Sequence, residues 1–290
     1  MMMSSSFLVC LLTYFTLWRS VHGLSIYDGS PGANISDYEG ELRAEWDRRI
    51  IFPPVEEMLS RNKPFIINVE GIVGTGKTTF LDYMKEYPYM DILPEPINKW
   101  TNLNGTDLLG LAFENPSRWS MTQESYVQLT LTEEHLRPYG IVKIMERSPH
   151  SAISVFSRQF YEAGQMTEVE FNVLNAWYNF LNDKLDLTTD LTIYLRLDPE
   201  LAYKRVLERG RIEEKNLSLN FLKRLHRLHD DWLIHQNTSM YLPTGNILVI
   251  DTSRPLDEME MIYKHLGKKI WKEIPKGMIT YCDQLSETFE

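Results

Sequence analysis

Cysteine is nearly absent from this sequence. Cys10 and Cys282 are the only two in 290 residues, and Cys10 falls in what reads as a leader, so they do not make an internal disulfide framework. A run long enough to cross a bilayer is also missing. Phe7 to Trp18 (FLVCLLTYFTLW) is apolar but short of the roughly 20 residues a spanning helix needs, which predicts no stable membrane span in the mature chain. Basic residues are in deficit, with 30 Lys and Arg against 40 Asp and Glu and a formal net charge of −10. That balance argues against a surface that wraps a nucleic acid polymer. It leaves small anions open, because local arginines and backbone amides hold those. Internal repeats and low-complexity segments are absent, which leaves no sign of a solenoid.

What remains is ordinary for a globular protein, with 43% hydrophobic and 24% charged residues. The length admits one large α/β domain or two small ones. Everything turns on Phe65 to Thr79, FIINVEGIVGTGKTT. Phe65 to Val69 is β-prone and bounded by Pro64 and Gly71, which predicts a short buried strand. Gly71, Gly76, Lys77 and Thr78 then fill G-x-x-x-x-G-K-[ST], and a helix-like run follows. Glycines let successive N–H groups turn inward onto phosphate oxygens, and the helix N-terminus adds positive potential. Gly71, Gly74, Thr75, Gly76, Lys77, Thr78 and Thr79 are the candidate nucleotide-binding residues. Lys77 would reach the β- and γ-phosphates and Thr78 would ligate Mg²⁺. A glycine-rich turn matching by chance would lack the flanking strand and helix.

In chain order, residues 1–23 form an N-terminal leader. Its apolar run and Val21-His22-Gly23 suit a secretory signal, while its serines, Arg19 and lack of acids also suit a mitochondrial presequence. Residues 24–62 read as a polar lead-in with a helix near Tyr38 to Arg49. Further strands are expected at Tyr89–Leu93, Ile141–Met145, Leu191–Leu197 and Asn246–Ile250. Helical spacing covers Leu108–Arg137, Ser151–Leu185, Pro199–Arg209, Leu219–His235 and Leu256–Trp271. Strands separated by long helices predict an α/β fold, a five-stranded parallel sheet flanked by helices.

Three clusters fall at predicted strand or helix ends. Glu95, in Pro94-Glu95-Pro96 after the second strand, would face the same cleft as Lys77 and accept a proton from a substrate hydroxyl. Its bland alternative is a solvated loop carboxylate. Glu146-Arg147-Ser148 ends the third strand, where an acid can hold Mg²⁺ and an arginine can steady a phosphate or hydroxyl. A strand-end salt bridge is the alternative. Arg205, Arg209 and Arg211 suit an arginine-rich lid over transferring phosphoryl groups, although Glu208, Glu213 and Glu214 could pair with them. Trp100, Phe113, Trp119, Tyr126, Phe156 and Phe160 are candidate walls for a flat base, though most aromatics are simply core.

Taken together, Glu70 to Thr79, PEPINKW (Pro94 to Trp100), NGTDLLGLAF (Asn104 to Phe113), ESYVQLT (Glu124 to Thr130), MERS (Met145 to Ser148), RGRIEE (Arg209 to Glu214) and LHRLHDDWLIHQ (Leu225 to Gln236) resemble the deoxyribonucleoside kinases, in the order seen there. The look is closest to the insect multisubstrate and mitochondrial thymidine kinase branch. The resemblance covers about Phe65 to Asp251 and implies a kinase-like P-loop domain over 63–290. It implies ATP and Mg²⁺, with Thr78 and Glu146 at the metal and the lid arginines over the phosphates. Glu95 would be the base for the 5′-hydroxyl, with Arg147 and Lys77 in the catalytic set. Trp100 and Phe156 would flank the base, with Val127, Leu131 and Ala152 shaping its pocket, and Glu214 would close on the 3′-hydroxyl. A homodimer and a mitochondrial or cytoplasmic location are implied too. Two positions depart from the family, Phe113 where Tyr is usual and Glu124 where Gln is. Gln123, about 100° further round a helix, is not expected to substitute.

The reading is ATP-dependent phosphorylation of the 5′-hydroxyl of a deoxyribonucleoside, pyrimidine favoured. The alternatives are a catalytically weakened nucleotide-binding relative with an accessory or structural role, and a kinase for another small hydroxyl substrate.

Overall fold

Why the chain forms a sheet of parallel strands is visible in the strands themselves. β1 (Phe65–Glu70), β3 (Val142–Glu146) and β4 (Leu191–Arg196) are buried almost throughout, as strands covered by helices on both faces must be. The computed structural model describes residues 35–288 except 62, 139, 212–213, 215–216 and 238–240. The leader and the 24–34 part of the lead-in lie outside the described residues.

β2 (Met90–Leu93) and β5 (Asn246–Asp251) form the edges, in the order β2-β3-β1-β4-β5, and every pairing is parallel. The strands run one residue later than the sequence pattern at several ends. β1 takes in Glu70 and β3 takes in Glu146, because ladder pairing, not apolarity, sets where a strand stops.

The helices are α1 (Ile35–Arg49), α2 (Val55–Arg61), α3 (Lys77–Met84), α4 (Ile97–Thr101), α5 (Leu108–Glu114), α6 (Pro116–Leu136), α7 (Pro149–Ser151), α8 (Arg158–Glu162), α9 (Glu168–Lys184), α10 (Pro199–Arg209), α11 (Leu219–His229), α12 (Leu256–Glu273) and α13 (Lys276–Thr288). Asn115-Pro116 splits the Leu108–Arg137 stretch, since proline is tolerated at a helix start but not inside it. Wider π-helical turns at Ala152–Ser157 and Asp230–Ile234 interrupt two further stretches. α9 opens with a capping box, Thr167 and Glu170 each satisfying the other's backbone N–H.

Alternate side chains of β4 and β5 feed opposite faces. Leu191, Ile193, Leu195, Leu248 and Ile250 join one core with Leu42, Trp46 and Met58 of the first two helices and with α12. Tyr194 and Ile247 join the other with α11 and Trp232. α1 and α2 are thus packed on the sheet, and α13 adds Met278 to the first core. The sequence pattern did not give α13. This topology brings the carboxyl ends of β1, β2 and β3 side by side.

Candidate functional site

β1 ends on Glu70, and the chain turns through Gly71 with φ 142° and Gly74 with φ 91°. A Cβ at Gly71 would sit 2.4 Å from the Leu195 carbonyl oxygen, and one at Gly74 would sit 2.7 Å from that of Ala202. Both places admit only glycine. The loop closes on the N-terminus of α3, where Lys77 is buried with its Nζ 3.1 Å from the Gly71 carbonyl and 3.0 Å from that of Ile72. Burial is the main force lowering the Lys77 pKa to about 8.

Neighbouring strand ends supply the rest. Arg147 follows β3 in a left-handed conformation, φ 72°, which turns its guanidinium back over the loop. Its Nη1 donates to the Gly71 carbonyl at 2.6 Å and its Nε to Glu95 Oε1 at 3.3 Å, while the guanidinium stacks 4.5 Å from the Phe156 ring centre. Glu146 Oε1 lies 4.0 Å from Lys77 Nζ. Burial raises the Glu146 pKa, against the pull of Lys77.

These groups line one cavity of about 270 Å³. Its polar end holds Gly74, Gly76, Lys77, Thr78, Thr79, Glu95, Glu146 and Arg147. Its apolar end holds Trp100, Phe113, Val127, Leu131, Phe156 and Phe160, with Glu124 set among them. Arg209, Arg211 and Glu214 also line it, and Arg209 is paired with Glu214 there. Trp100 is fixed by its indole N–H, which donates to Thr130 Oγ1 at 2.8 Å. Phe113 meets Phe221 edge-on, ring centres 6.4 Å apart.

Six candidate residues are not cavity walls. Gly71 and Thr75 shape the loop from behind, Thr75 donating to the Ile72 carbonyl at 3.0 Å. Ala152 packs behind Trp100, Val127 and Leu131. Arg205 sits one turn before Arg209 and donates to the Arg254 carbonyl at 3.4 Å. Of the aromatics proposed as base walls, Trp119 and Tyr126 do not reach the cavity. Trp119 lies under the Arg118 guanidinium, and Tyr126 packs against the core behind the wall.

Two residues outside the expected site set belong here. Gln123, not expected to substitute for a Gln at position 124, lines the cavity beside Glu124, because α6 presents a face more than 100° wide to it. Glu70 is fully buried, accepts the Ser148 hydroxyl at 2.7 Å, and has its Oε2 3.9 Å from Arg147. Burial pushes its pKa up to about 7. The signal for Glu70 was a charge closing a strand that is apolar but for Asn68, directly before the loop.

A parallel sheet, a glycine-rich loop entering a helix, and a lysine with carboxylates at adjacent strand ends define a phosphate-loop kinase. The chain belongs to the deoxynucleoside kinase family, which matches residues 67–275. It is 37% identical over 241 residues to mitochondrial thymidine kinase 2 of Homo sapiens, covering 83% of this chain and 89% of that protein. It is 32% identical over 233 residues to deoxycytidine kinase 1 of Xenopus laevis, covering 70% and 88%.

Proposed function

We propose that the protein transfers the γ-phosphoryl group of ATP to the 5′-hydroxyl of a deoxyribonucleoside, with pyrimidines favoured. The observation that carries this is the Glu95–Arg147–Lys77 constellation at the junction of a phosphate loop and an apolar cavity. Family membership and the names of the relatives support it. The retained constellation argues against a relative that has lost turnover.

Glu95, where the polar and apolar ends meet, accepts the proton of the 5′-hydroxyl as that oxygen attacks. Arg147 orients Glu95 in the free protein, and Lys77 with the loop amides neutralises charge on the phosphates. Arg209 and Arg211 close over the transferring group, and Arg209 must part from Glu214 to do so. Arg205 supports that lid from the preceding turn. Glu214, once released, is free to meet the 3′-hydroxyl.

The residues present suit Mg²⁺. Thr78 and Glu146 offer one hydroxyl and one carboxylate at the phosphate end, and that ion in nucleotide sites takes one or two protein oxygens with phosphates and waters. When bound, it offsets charge on the β- and γ-oxygens. Among the described residues no group of three or more His, Cys, Asp or Glu could hold a metal by itself.

Two further features belong to this reading. Val169, Val173, Trp177 and Phe180 on α9, with Leu129 and Leu136 on α6, are large apolar side chains left exposed on helices packed against each other. They support a homodimer through this face. The leader and the mitochondrial relatives support a mitochondrial destination. The test is ATP-dependent phosphorylation of each natural deoxynucleoside by the purified protein, and product formation from none of them would sink the proposal.

A further inference from the structure

The apolar end of the cavity contains a carboxyl group whose hydrogens can be counted. Glu124 is 3% exposed and sits on α6 facing the π-helical turn Ala152–Ser157. Ser157 Oγ lies 2.9 Å from the Ala152 carbonyl oxygen and 3.2 Å from Glu124 Oε2. A serine hydroxyl has one hydrogen. The shorter contact is to a carbonyl, which only accepts, and it closes the π turn from Ser157 back to Ala152. That contact takes the hydrogen. What faces Glu124 is then the Ser157 lone pairs, and two acceptors in contact need a proton between them. The proton belongs to the carboxyl.

Other groups around Glu124 agree. The walls near it are Val127, Phe156 and Phe160. The charged group acting on it across the cavity is Glu95, whose like charge disfavours ionisation. The cations do not compensate. Arg147 is drawn to Glu95 and Gly71, and Lys77 to the Gly71 and Ile72 carbonyls. Burial is the largest influence on Glu124 and pushes its pKa up to about 8, outweighing the lowering that a hydrogen bond from Ser157 would bring. Oε1 has no partner among the described residues, and neither has Gln123, which lines the same wall.

We infer that Glu124 is a neutral carboxylic acid that gives its hydroxyl hydrogen to Ser157, leaving its carbonyl oxygen, beside the Gln123 carboxamide, to read the donor–acceptor edge of a pyrimidine base. Thymine offers N3–H beside O4, and cytosine offers its amino group beside N3. Each edge gives a hydrogen to Glu124 Oε1 and accepts one from the Gln123 amide. This rests on the kinase reading. It adds that base recognition depends on a proton, which a Gln at position 124 would not require. Ionised, Glu124 would bring a second negative charge beside Glu95, and a base sliding against it would strip its remaining water with no cation in exchange.

The experiment is nucleoside binding without ATP, measured by calorimetry from pH 6.5 to 9.5. Deoxycytidine is the probe, because its amino group does not ionise in this range, and thymidine is the second arm. Binding of deoxycytidine is expected to be level below about pH 8 and to weaken up to tenfold per pH unit above it, whereas Glu124→Gln binds evenly throughout. Ser157→Ala removes the acceptor for the acid hydrogen and moves the midpoint to lower pH. Were Ser157 the donor to an ionised carboxylate, that variant would move it to higher pH. Gln123→Ala weakens binding by roughly tenfold, the loss expected for one buried hydrogen bond. An infrared band of a protonated carboxyl at pH 7, lost in Glu124→Gln, is expected without any ligand. Level binding by the unaltered protein, no such band, or an upward shift in Ser157→Ala overturns the neutral acid alone. If neither form binds either nucleoside at any pH, the kinase reading falls with it.

Discussion

Glu95 and Lys77 can be separated experimentally, because the proposed mechanism has one handling a proton and the other a charge. Replacing Glu95 with Gln keeps the shape and removes the proposed base. Turnover is expected to fall by roughly 10²–10⁴-fold, with ATP affinity nearly unchanged, as steady-state kinetics and nucleotide titration would show. An unaltered turnover number would make Glu95 a loop residue that merely pairs with Arg147. Lys77→Ala removes the ammonium from the phosphate end and is expected to lower kcat by about 10²-fold or more. Circular dichroism should show an unchanged fold. Both residues were legible in the sequence, Lys77 from a loop pattern with a physical reason for every position, Glu95 from its place after a strand. Gln123 and Glu70 were not legible as site residues. Gln123 depends on how wide a face α6 turns to the cavity, and Glu70 on a neighbour, Arg147, that is 77 positions away in the chain and adjacent only through the β1–β3 pairing.

Among the elements, the strands were the most legible. Their apolar runs are short and bounded, and burial of β1, β3 and β4 on both faces leaves no alternative period to confuse them. The helices were legible as regions and not as units. Neither π-helical turn has a composition that marks it, yet the one at Ala152–Ser157 carries Ser157 to Glu124 and Phe156 to Arg147. The last helix, α13, follows Pro275 and went unread. α9 makes its own prediction. Trp177 is 58% and Phe180 53% exposed, and such a stripe on a helix that could instead be polar asks for a partner. Trp177→Glu with Phe180→Glu is expected to give a monomer by sedimentation equilibrium, with thermal stability per chain little changed. A monomer already in the unaltered protein would show that the stripe is not a dimer face.

For the molecule as a whole, buried ionisable groups set the pH range of stability. Burial holds His135 and His229 neutral, with pKa values lowered from 6.5 to about 3. Unfolded, they take up protons as pH falls below about 6.5, so the stability they permit is lost from there down towards pH 3. Glu70 and Glu124 act in the opposite sense. Their folded pKa values, about 7 and about 8, lie above the usual 4.5. Their share of stability is complete below pH 4.5 and lost as pH rises to 7 and 8. The two effects oppose each other between about 4.5 and 6.5, which predicts a broad maximum of Tm there. The fall between 6.5 and 8 should be shallower in Glu124→Gln. An identical decline in that variant would show that the carboxyl is not held neutral by its surroundings.

Transfer itself tests the assignment most directly. The purified protein, given γ-labelled ATP, Mg²⁺ and each of the four natural deoxynucleosides separately, is expected to place label on the 5′-oxygen of thymidine or deoxycytidine ahead of the purines. Glu95→Gln, assayed alongside, should lose that transfer while still binding both substrates. Binding of ATP and nucleoside with no labelled monophosphate from any of the four would contradict the kinase and leave the weakened accessory relative in its place.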